Sequence, residues 1–391
     1  MTTTTSTRPR GMHGGTVAVA GAAETTEIGK RPDTSVLGLH IEAARNALAD
    51  AGLTPADVDG VATAGPSPID VAHHVGVTPR WLDGTAVGGC SFLSHVRHAA
   101  AAITAGAAEV VLITHGESGR SQVGLPGRAR SASSPPGQFE WPYGAIAPYM
   151  KFTVPALRFL HERGMGREDL AQVVVAQREW AAKNPRALRQ DLVGVEDVLA
   201  APMIAYPFSK DMCCPVTDGG GALILTSAER AADLRRPPVY LLGSGESAES
   251  TLVSQMSDPG SFGASRRASS EAFATAGLSQ GDIDHLMIYD AFAHLPLYGL
   301  EDTGFVGHGE SGAFIADGHT RPGGRLPVNT NGGGLNYTHT GMYGMFAMQE
   351  AIRQLRGEAD AQVPGVRTSF VHGYGLFFSA ATSLVFANER P

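Results

Sequence analysis

Short apolar runs alternate along this chain with stretches of helical spacing, which predicts strands interleaved with amphipathic helices. Val17-Ala-Val-Ala-Gly reads as a buried strand. Leu37 to Ala51 carries helical spacing, stops at Gly52, turns at Thr54-Pro55 and gives way to the strand-like Val58-Asp-Gly-Val-Ala-Thr. Ala99 to Thr114 predicts a buried helix followed by a buried strand, since Gly106 and Glu109 interrupt it and it falls short of the ~20 apolar residues of a bilayer span. Val110-Val-Leu-Ile-Thr, Ala222-Leu-Ile-Leu-Thr and Val239-Tyr-Leu-Leu have the unbroken apolar character of strands covered on both faces.

The unit repeats. Glu271 through Phe292 echoes Glu42 through Gly65, with Ala-Gly-Leu and Asp-Val/Ile-Asp in register. Two halves of helix-then-strand character predict an internally duplicated α/β protein, divided into 1–229 and 230–391 at the charged, proline-bearing stretch 230–238. Within the first half, Glu117 to Pro148 is rich in Ser, Gly, Pro and Arg, and Tyr149 to Ala201 is largely helical. Residues 117–201 therefore read as an insertion.

Composition narrows the function classes. With 391 residues, 43% hydrophobic and 17% charged, the chain can bury an enzyme-sized core. A net charge of −8 argues against a nucleic-acid surface. Three cysteines, two of them adjacent at Cys213-Cys214, build no disulfide framework and suit a reducing compartment. Residues 1–10 lack an apolar segment, so they read as a disordered tail and not a signal peptide, and the protein is expected in the cytoplasm. Gly219-Gly-Gly221 and Gly243-Ser-Gly245 lack the spacing of a dinucleotide fingerprint. His95 and His98 sit at i and i+3 without an evident third ligand, and no Cys-x-x-Cys occurs, so no metal is expected. His73-His74 and Cys213-Cys214 read as local packing features.

Chemistry concentrates in Asn329-Thr-Asn-Gly-Gly-Gly-Leu-Asn-Tyr-Thr-His339-Thr-Gly-Met-Tyr343-Gly344, where five glycines surround one histidine and two tyrosines. Glycines at that density let backbone approach a ligand, and the ring groups beside them titrate. The run resembles the Asn-x-Asn-Gly-Gly…Gly-His-Pro loop of the thiolase superfamily, with Thr338 and Thr340 flanking His339 where the family has Gly and Pro. Asn184-Pro185-Arg, Val195-Glu-Asp-Val-Leu, Cys213-Cys-Pro-Val-Thr-Asp-Gly-Gly-Gly-Ala222 and His372-Gly-Tyr-Gly375 resemble the sterol-carrier-protein, or lipid-transfer-protein, branch of that superfamily, so the resemblance covers nearly the whole chain. It implies two duplicated βαβαβαββ halves layered α/β/α/β/α, with a loop-domain insertion.

Thiolases place a nucleophilic cysteine at the start of a helix, whose N-terminus lowers the thiol pKa. Alignment on Gly106-Ala-Ala-Glu-Val-Val-Leu puts Gly89 there, with Cys90 one residue late, about 100° further round a helix. Gly88-Gly89-Cys90-Ser91 and Tyr289-Asp-Ala-Phe292 resemble the thiolase-like aldolases that shorten steroid side chains without a cysteine nucleophile. The resemblance implies retro-aldol cleavage of a β-hydroxyacyl-CoA, with coenzyme A as part of the substrate and no separate cofactor. It assigns His339 to the thioester oxygen, Tyr289 and Asp290 to the oxyanion region, Tyr343 to proton transfer at the β-oxygen or enolate carbon, and His372 to a shuttle. His294 stands where the subgroup has a second acid-base tyrosine. Gly89, Cys90, Ser91, Gly333 and Gly375 are expected to line the substrate, and Arg120, Arg128 and Arg130 to meet CoA phosphates. A homodimer, within a heterotetramer formed with a small zinc-ribbon and OB-fold partner, is implied as well. The alternatives are a thiolase or acyltransferase using Cys90, and a non-catalytic acyl-CoA-binding subunit.

Overall fold

Gly52 and Gly277 end equivalent helices in the left-handed conformation, at φ 73° and 70°, and begin the repeated unit of the chain. Helix Val36–Ala51 leads into the 3-10 turn Pro55–Asp57, and helix Gly263–Ala276 into the turn Gln280–Asp282. Asp57 caps the first turn through Thr54 Oγ1 at 2.8 Å, and Asp282 caps the second through Ser279 Oγ at 2.7 Å. A strand follows in each copy, beginning at Gly60 in the first, two residues later than the sequence pattern at Val58 predicts.

These relations come from a computed structural model, which describes residues 13–124 and 131–390. The N-terminal tail, Arg128 and Arg130 lie outside the described residues. The strands are β1 (Val17–Glu24), β2 (Gly60–Thr63), β3 (Trp81–Asp83), β4 (Val110–Ser118), β5 (Met203–Ala205), β6 (Phe208–Ser209), β7 (Asp218–Ser227), β8 (Val239–Ala248), β9 (His285–Ile288), β10 (Thr368–Gly375) and β11 (Ala380–Ala387). Nine of them form one sheet in the order β3-β2-β4-β7-β1-β8-β11-β10-β9, and β5 pairs with β6. The first half contributes β3 to β1 in that order, the second half β8 to β9, and they meet at a seam of two residue pairs, Ala18↔Tyr240 and Val19↔Val239.

Side chains of β4 alternate between two cores, Val110 and Leu112 facing helix Val36–Ala51 while Val111 and Ile113 face the interior between the halves. Helices Ser91–Thr104 and Gly344–Arg356 fill that interior and touch strands of both halves, giving five layers. Glycines allow the outer helices to seat closely: a Cβ on Gly21 would come within 2.5 Å of Ala47 O, and one on Gly243 within 2.2 Å of Ala272 O. The Gly243-Ser-Gly245 cluster is thus a helix-packing device.

Helix Gly344–Arg356 joins the halves chemically. Gln349 Nε2 donates to Ala23 O and Ala222 O, Arg353 pairs with buried Glu24 of β1 at 2.9 Å, and Glu350 accepts from Thr330 at 2.7 Å. The insertion starts after Ser118, because β4 runs through Glu117. Its helices include Thr153–Arg163 and Arg167–Ala181; residues 182–194 carry no helix and buttress the Asn329 loop, with Arg189 N donating to Asn336 O at 3.0 Å. Among the described residues, no helix is long and apolar enough to cross a membrane.

Candidate active site

The loop 329–344 is clamped to the end of β9 at its first residue. Asn329, at φ 54°, accepts from Ile288 N at 2.8 Å and donates to Ile288 O at 2.9 Å, so its amide imitates a strand neighbour. The glycines that follow mark close approach. A Cβ on Gly333 (φ 69°) would come within 2.2 Å of Asp290 Oδ2, and the Asp290 carboxyl accepts from Gly334 N at 2.6 Å and Leu335 N at 3.2 Å. Burial pushes the Asp290 carboxyl well above the usual range despite those N–H groups. Asp290 and Gly333 therefore anchor the loop.

His339 is pinned by the two threonines beside it. Its main-chain N–H donates to Thr217 Oγ1 at 3.1 Å, Thr217 Oγ1 lies 2.8 Å from Thr338 Oγ1, and Thr340 Oγ1 lies 2.8 Å from His115 Nε2. These hydroxyls anchor the frame in this chain. The His339 ring meets Tyr289, whose hydroxyl lies 2.9 Å from Nε2 with the rings at 84°. Burial pulls the imidazole down to about 4, which leaves it neutral at pH 7, and pushes the Tyr289 phenol well above its ordinary value.

Tyr343 packs edge-to-face on Tyr289, ring centroids 5.9 Å apart, and donates its hydroxyl to Asn331 Oδ1 at 2.7 Å. Asn331 Oδ1 also accepts from Gly333 N at 2.9 Å, which fixes the orientation of the amide. Asn331 Nδ2 is then left buried and without a partner among the described residues. A buried amide donor of this kind is costly unless something accepts from it. Asn331 was not singled out from the sequence, although the Asn-x-Asn-Gly-Gly signal contains it.

Gly88-Gly89-Cys90 forms the 3-10 turn that enters helix Ser91–Thr104. A Cβ on Gly89 would come within 2.3 Å of Tyr289 Cε2, so the aromatic ring fills the position from which a side chain would project. Cys90 points elsewhere: a Cβ on Gly375 would reach its Sγ at 2.8 Å, and burial pushes its thiol up to about 12. Ser91 Oγ closes the turn, accepting from Val87 N at 2.9 Å and donating to Gly88 O at 2.6 Å. Cys90, Ser91 and Gly375 are thus engaged in packing and turn closure.

Two expected histidines stand apart from the Tyr289–His339 pair. His372 has Ser265 Oγ at 2.9 Å from Nε2 and Ser383 Oγ at 2.8 Å from Nδ1, so both ring nitrogens are occupied. His294 is wholly buried among Phe152, Phe208, Phe292, Tyr298 and Phe378, and neither nitrogen has a partner among the described residues. Burial pulls both imidazoles down to about 3. His95 and His98 also diverge, His95 bonding Thr85 O while His98 lies between Asp83 and Glu246. Arg120 has an exposed side chain, and its main-chain N–H donates to Asp218 at 2.8 Å.

Comparison with known proteins adds four relations. The family model described as Thiolase C-terminal domain-like matches residues 245–388. A steroid side-chain-cleaving aldolase of Thermomonospora curvata is 35% identical over 375 residues, covering 90% of this chain and 93% of the relative; a 17-hydroxy-3-oxo-4-pregnene-20-carboxyl-CoA lyase of Mycobacterium tuberculosis is 34% identical over 91% and 95%. Among solved structures, an Ltp2-ChsH2(DUF35) aldolase superposes with a TM-score of 0.89 at 33% identity, covering 95% of this chain and 98% of that one.

Proposed function

The chain belongs to the thiolase superfamily, in the branch of the steroid side-chain-cleaving aldolases, and from that premise we propose that it cleaves a bulky β-hydroxyacyl-CoA by retro-aldol chemistry without a covalent intermediate. One observation carries the reading: the Tyr289 ring fills the space beside Gly89, and its hydroxyl lies 2.9 Å from His339. Where a thiolase needs a thiolate, this site holds a phenol coupled to a neutral imidazole. The Cys90 thiol, buried and raised to about 12, argues against the acyltransferase alternative.

The reaction removes the β-hydroxyl proton, breaks the bond between the α and β carbons, and sends that electron pair into the enolate of the shortened CoA ester. We assign the proton to Tyr289, which passes its own to His339 Nε2, and assign the enolate oxygen to Asn331 Nδ2, whose amide the Tyr343 hydroxyl holds in place. This moves proton transfer to Tyr289 from Tyr343, where the resemblance had put it. The acceptor beside Tyr343 is the Asn331 amide oxygen, a poor proton acceptor, whereas the group beside Tyr289 is an imidazole that can take a proton. Return of the proton through Tyr289 to the α carbon releases a ketone or aldehyde and the shortened CoA ester.

In this reading coenzyme A enters as part of the substrate. The free cysteines Cys90, Cys213 and Cys214 support a cytoplasmic site, and the two component names of the Ltp2-ChsH2(DUF35) aldolase support a partner protein; a homodimer core and a small zinc-ribbon and OB-fold partner complete the proposal. The test is mass spectrometry of the protein, alone and with a co-encoded partner, incubated with acyl-CoA and β-hydroxyacyl-CoA esters. Release of a carbonyl product without a protein adduct is the expected result; an acyl adduct on Cys90 would overturn it.

A further inference from the structure

His339 belongs to the second half of the chain, yet its frame is held by two strands of the first. Thr217, the residue before β7, takes position 339: its N–H donates to His339 O at 3.2 Å, and its Oγ1 accepts from His339 N at 3.1 Å. β4 takes the two positions that follow. His115 Nε2 lies 2.8 Å from Thr340 Oγ1, and Gly341 has no room for a Cβ against the Glu117 carboxylate. Gly119, just past β4, likewise has none against Thr340 O. The contact of the His339 ring with Tyr289 at 2.9 Å is therefore aimed from outside its own half.

Packing alone does not account for His115. The residue is wholly buried, its ring centroid 4.6 Å from that of Phe92 and 5.7 Å from that of Phe346, on the two helices of the interior. Among the described residues, the Thr340 contact is the one hydrogen bond the ring makes, because Nδ1 has no partner. Burial, and then the neighbouring His40 and His339 imidazoles, hold the ring well below 6.5 and so neutral at pH 7. A leucine between the same phenylalanines would bury no unsatisfied nitrogen. What the imidazole adds is its tie to the Thr340 hydroxyl. The loop that this run resembles carries Pro at that position, and a Pro ring would fix φ. Threonine leaves that rotation open, and the bond to His115 restrains it.

We propose that His115 is a positioning residue for the cleavage step: through Thr340 it sets the direction in which the His339 ring meets the Tyr289 hydroxyl. The inference rests on the acyl-CoA cleavage reading, in which that ring takes the Tyr289 proton. A loop released at position 340 lets the imidazole swing away from the phenol, and a misplacement of ~1 Å in a reacting group costs about 100-fold in rate.

The test is a double-mutant cycle on the full-length protein. His115→Leu and Thr340→Val break the bond from opposite ends, and each should lower kcat at least ~10-fold with KM within about twofold of the wild type. His115→Gln, whose amide can reach the same hydroxyl, should recover most of that loss. The double variant His115→Leu with Thr340→Val separates position from stability. Replacing both polar ends by apolar groups should return the melting temperature close to the wild type, while kcat stays ~10-fold down. Recovery of kcat together with the melting temperature, a loss carried by KM, or no rescue by His115→Gln would each overturn the assignment. Histidine-selective nitrogen NMR adds a readout that needs no turnover: the His339 ring signal, assigned by its disappearance in His339→Gln, should move in both single variants. A moved signal in a protein that cleaves no CoA ester would support the hold of His115 on His339 and remove the aldolase reading. Cleavage with kcat and the His339 signal unchanged in both single variants would do the reverse.

Discussion

The ring of Tyr289 and the bare Cα of Gly89 are complementary: a Cβ on Gly89 would lie 2.3 Å from Tyr289 Cε2 and 2.6 Å from Cζ, so neither residue can change alone without moving the other. Gly89→Ala should therefore displace the phenol from His339. We expect a fall in thermal stability matching the ~1–3 kcal/mol cost of overpacking and a drop in turnover of at least ~10-fold. Thermal melts and steady-state rates of the variant check this; wild-type values for both would contradict the packing argument.

Tyr343 holds the Asn331 amide, whose free N–H faces charge that develops only as the carbon-carbon bond breaks. Tyr343→Phe should lower kcat at least ~100-fold with KM nearly unchanged. A variant that turns over normally removes Tyr343 from the mechanism.

Cys90→Ala should leave turnover close to wild type, and the native thiol should resist iodoacetamide at pH 8, because burial holds it protonated. Peptide mapping after alkylation of folded and denatured protein gives the answer. Rapid native labelling would mean that the thiol is more accessible than its packing against Gly375 allows.

His294 is neutral and has no polar partner among the described residues, and burial lowers it to about 3 from an ordinary 6.5. The unfolded chain binds a proton there below about 6.5 that the folded chain refuses down to about 3, so this group erodes stability as pH falls through that window and has no such effect above it. His40, His285 and His372, lowered to about 3 by burial, act in the same direction. Chemical denaturation from pH 7 to 4 should show a steep loss, and His294→Phe should flatten it; an identical slope in the variant would count against a neutral buried His294.

His98 has the opposite sign. Hydrogen bonds to Asp83 at 2.7 Å and Glu246 at 3.2 Å raise it to about 9, so its contribution is complete below about 6.5 and fades as pH rises through 9. The wild type is expected to lose stability between pH 7 and 10, and His98→Gln should lack that alkaline decline. Matching profiles would show that the two carboxylates do not hold the imidazole protonated.

Much of this could be read along the chain where the physics is local. The repeated helix, capped turn and strand announce themselves because Gly52 and Gly277, and Asp57 and Asp282, act on neighbours a few residues away. The glycine-rich loop likewise pointed to the site, since close backbone approach demands glycine. Residue type was less informative about partners. Asp290 reads as part of the oxyanion region until Gly334 and Leu335 are seen to occupy its oxygens, and His372 as a shuttle until Ser265 and Ser383 are seen on its two nitrogens. The unsatisfied Asn331 amide and the fit of Tyr289 against Gly89 depend on segments remote in sequence, which periodicity does not register.

The seam between β1 and β8 is only two residue pairs wide, and helix Gly344–Arg356, which starts beside Tyr343, ties both halves through Gln349, Glu350 and Arg353. The same helix is therefore both rivet and tool mount. Although the two halves repeat one plan, the site is divided unevenly between them, with Tyr289, Asn331, His339 and Tyr343 in the second and Gly89 in the first, and a substitution in the joint is felt by the chemistry as directly as one in the catalytic loop.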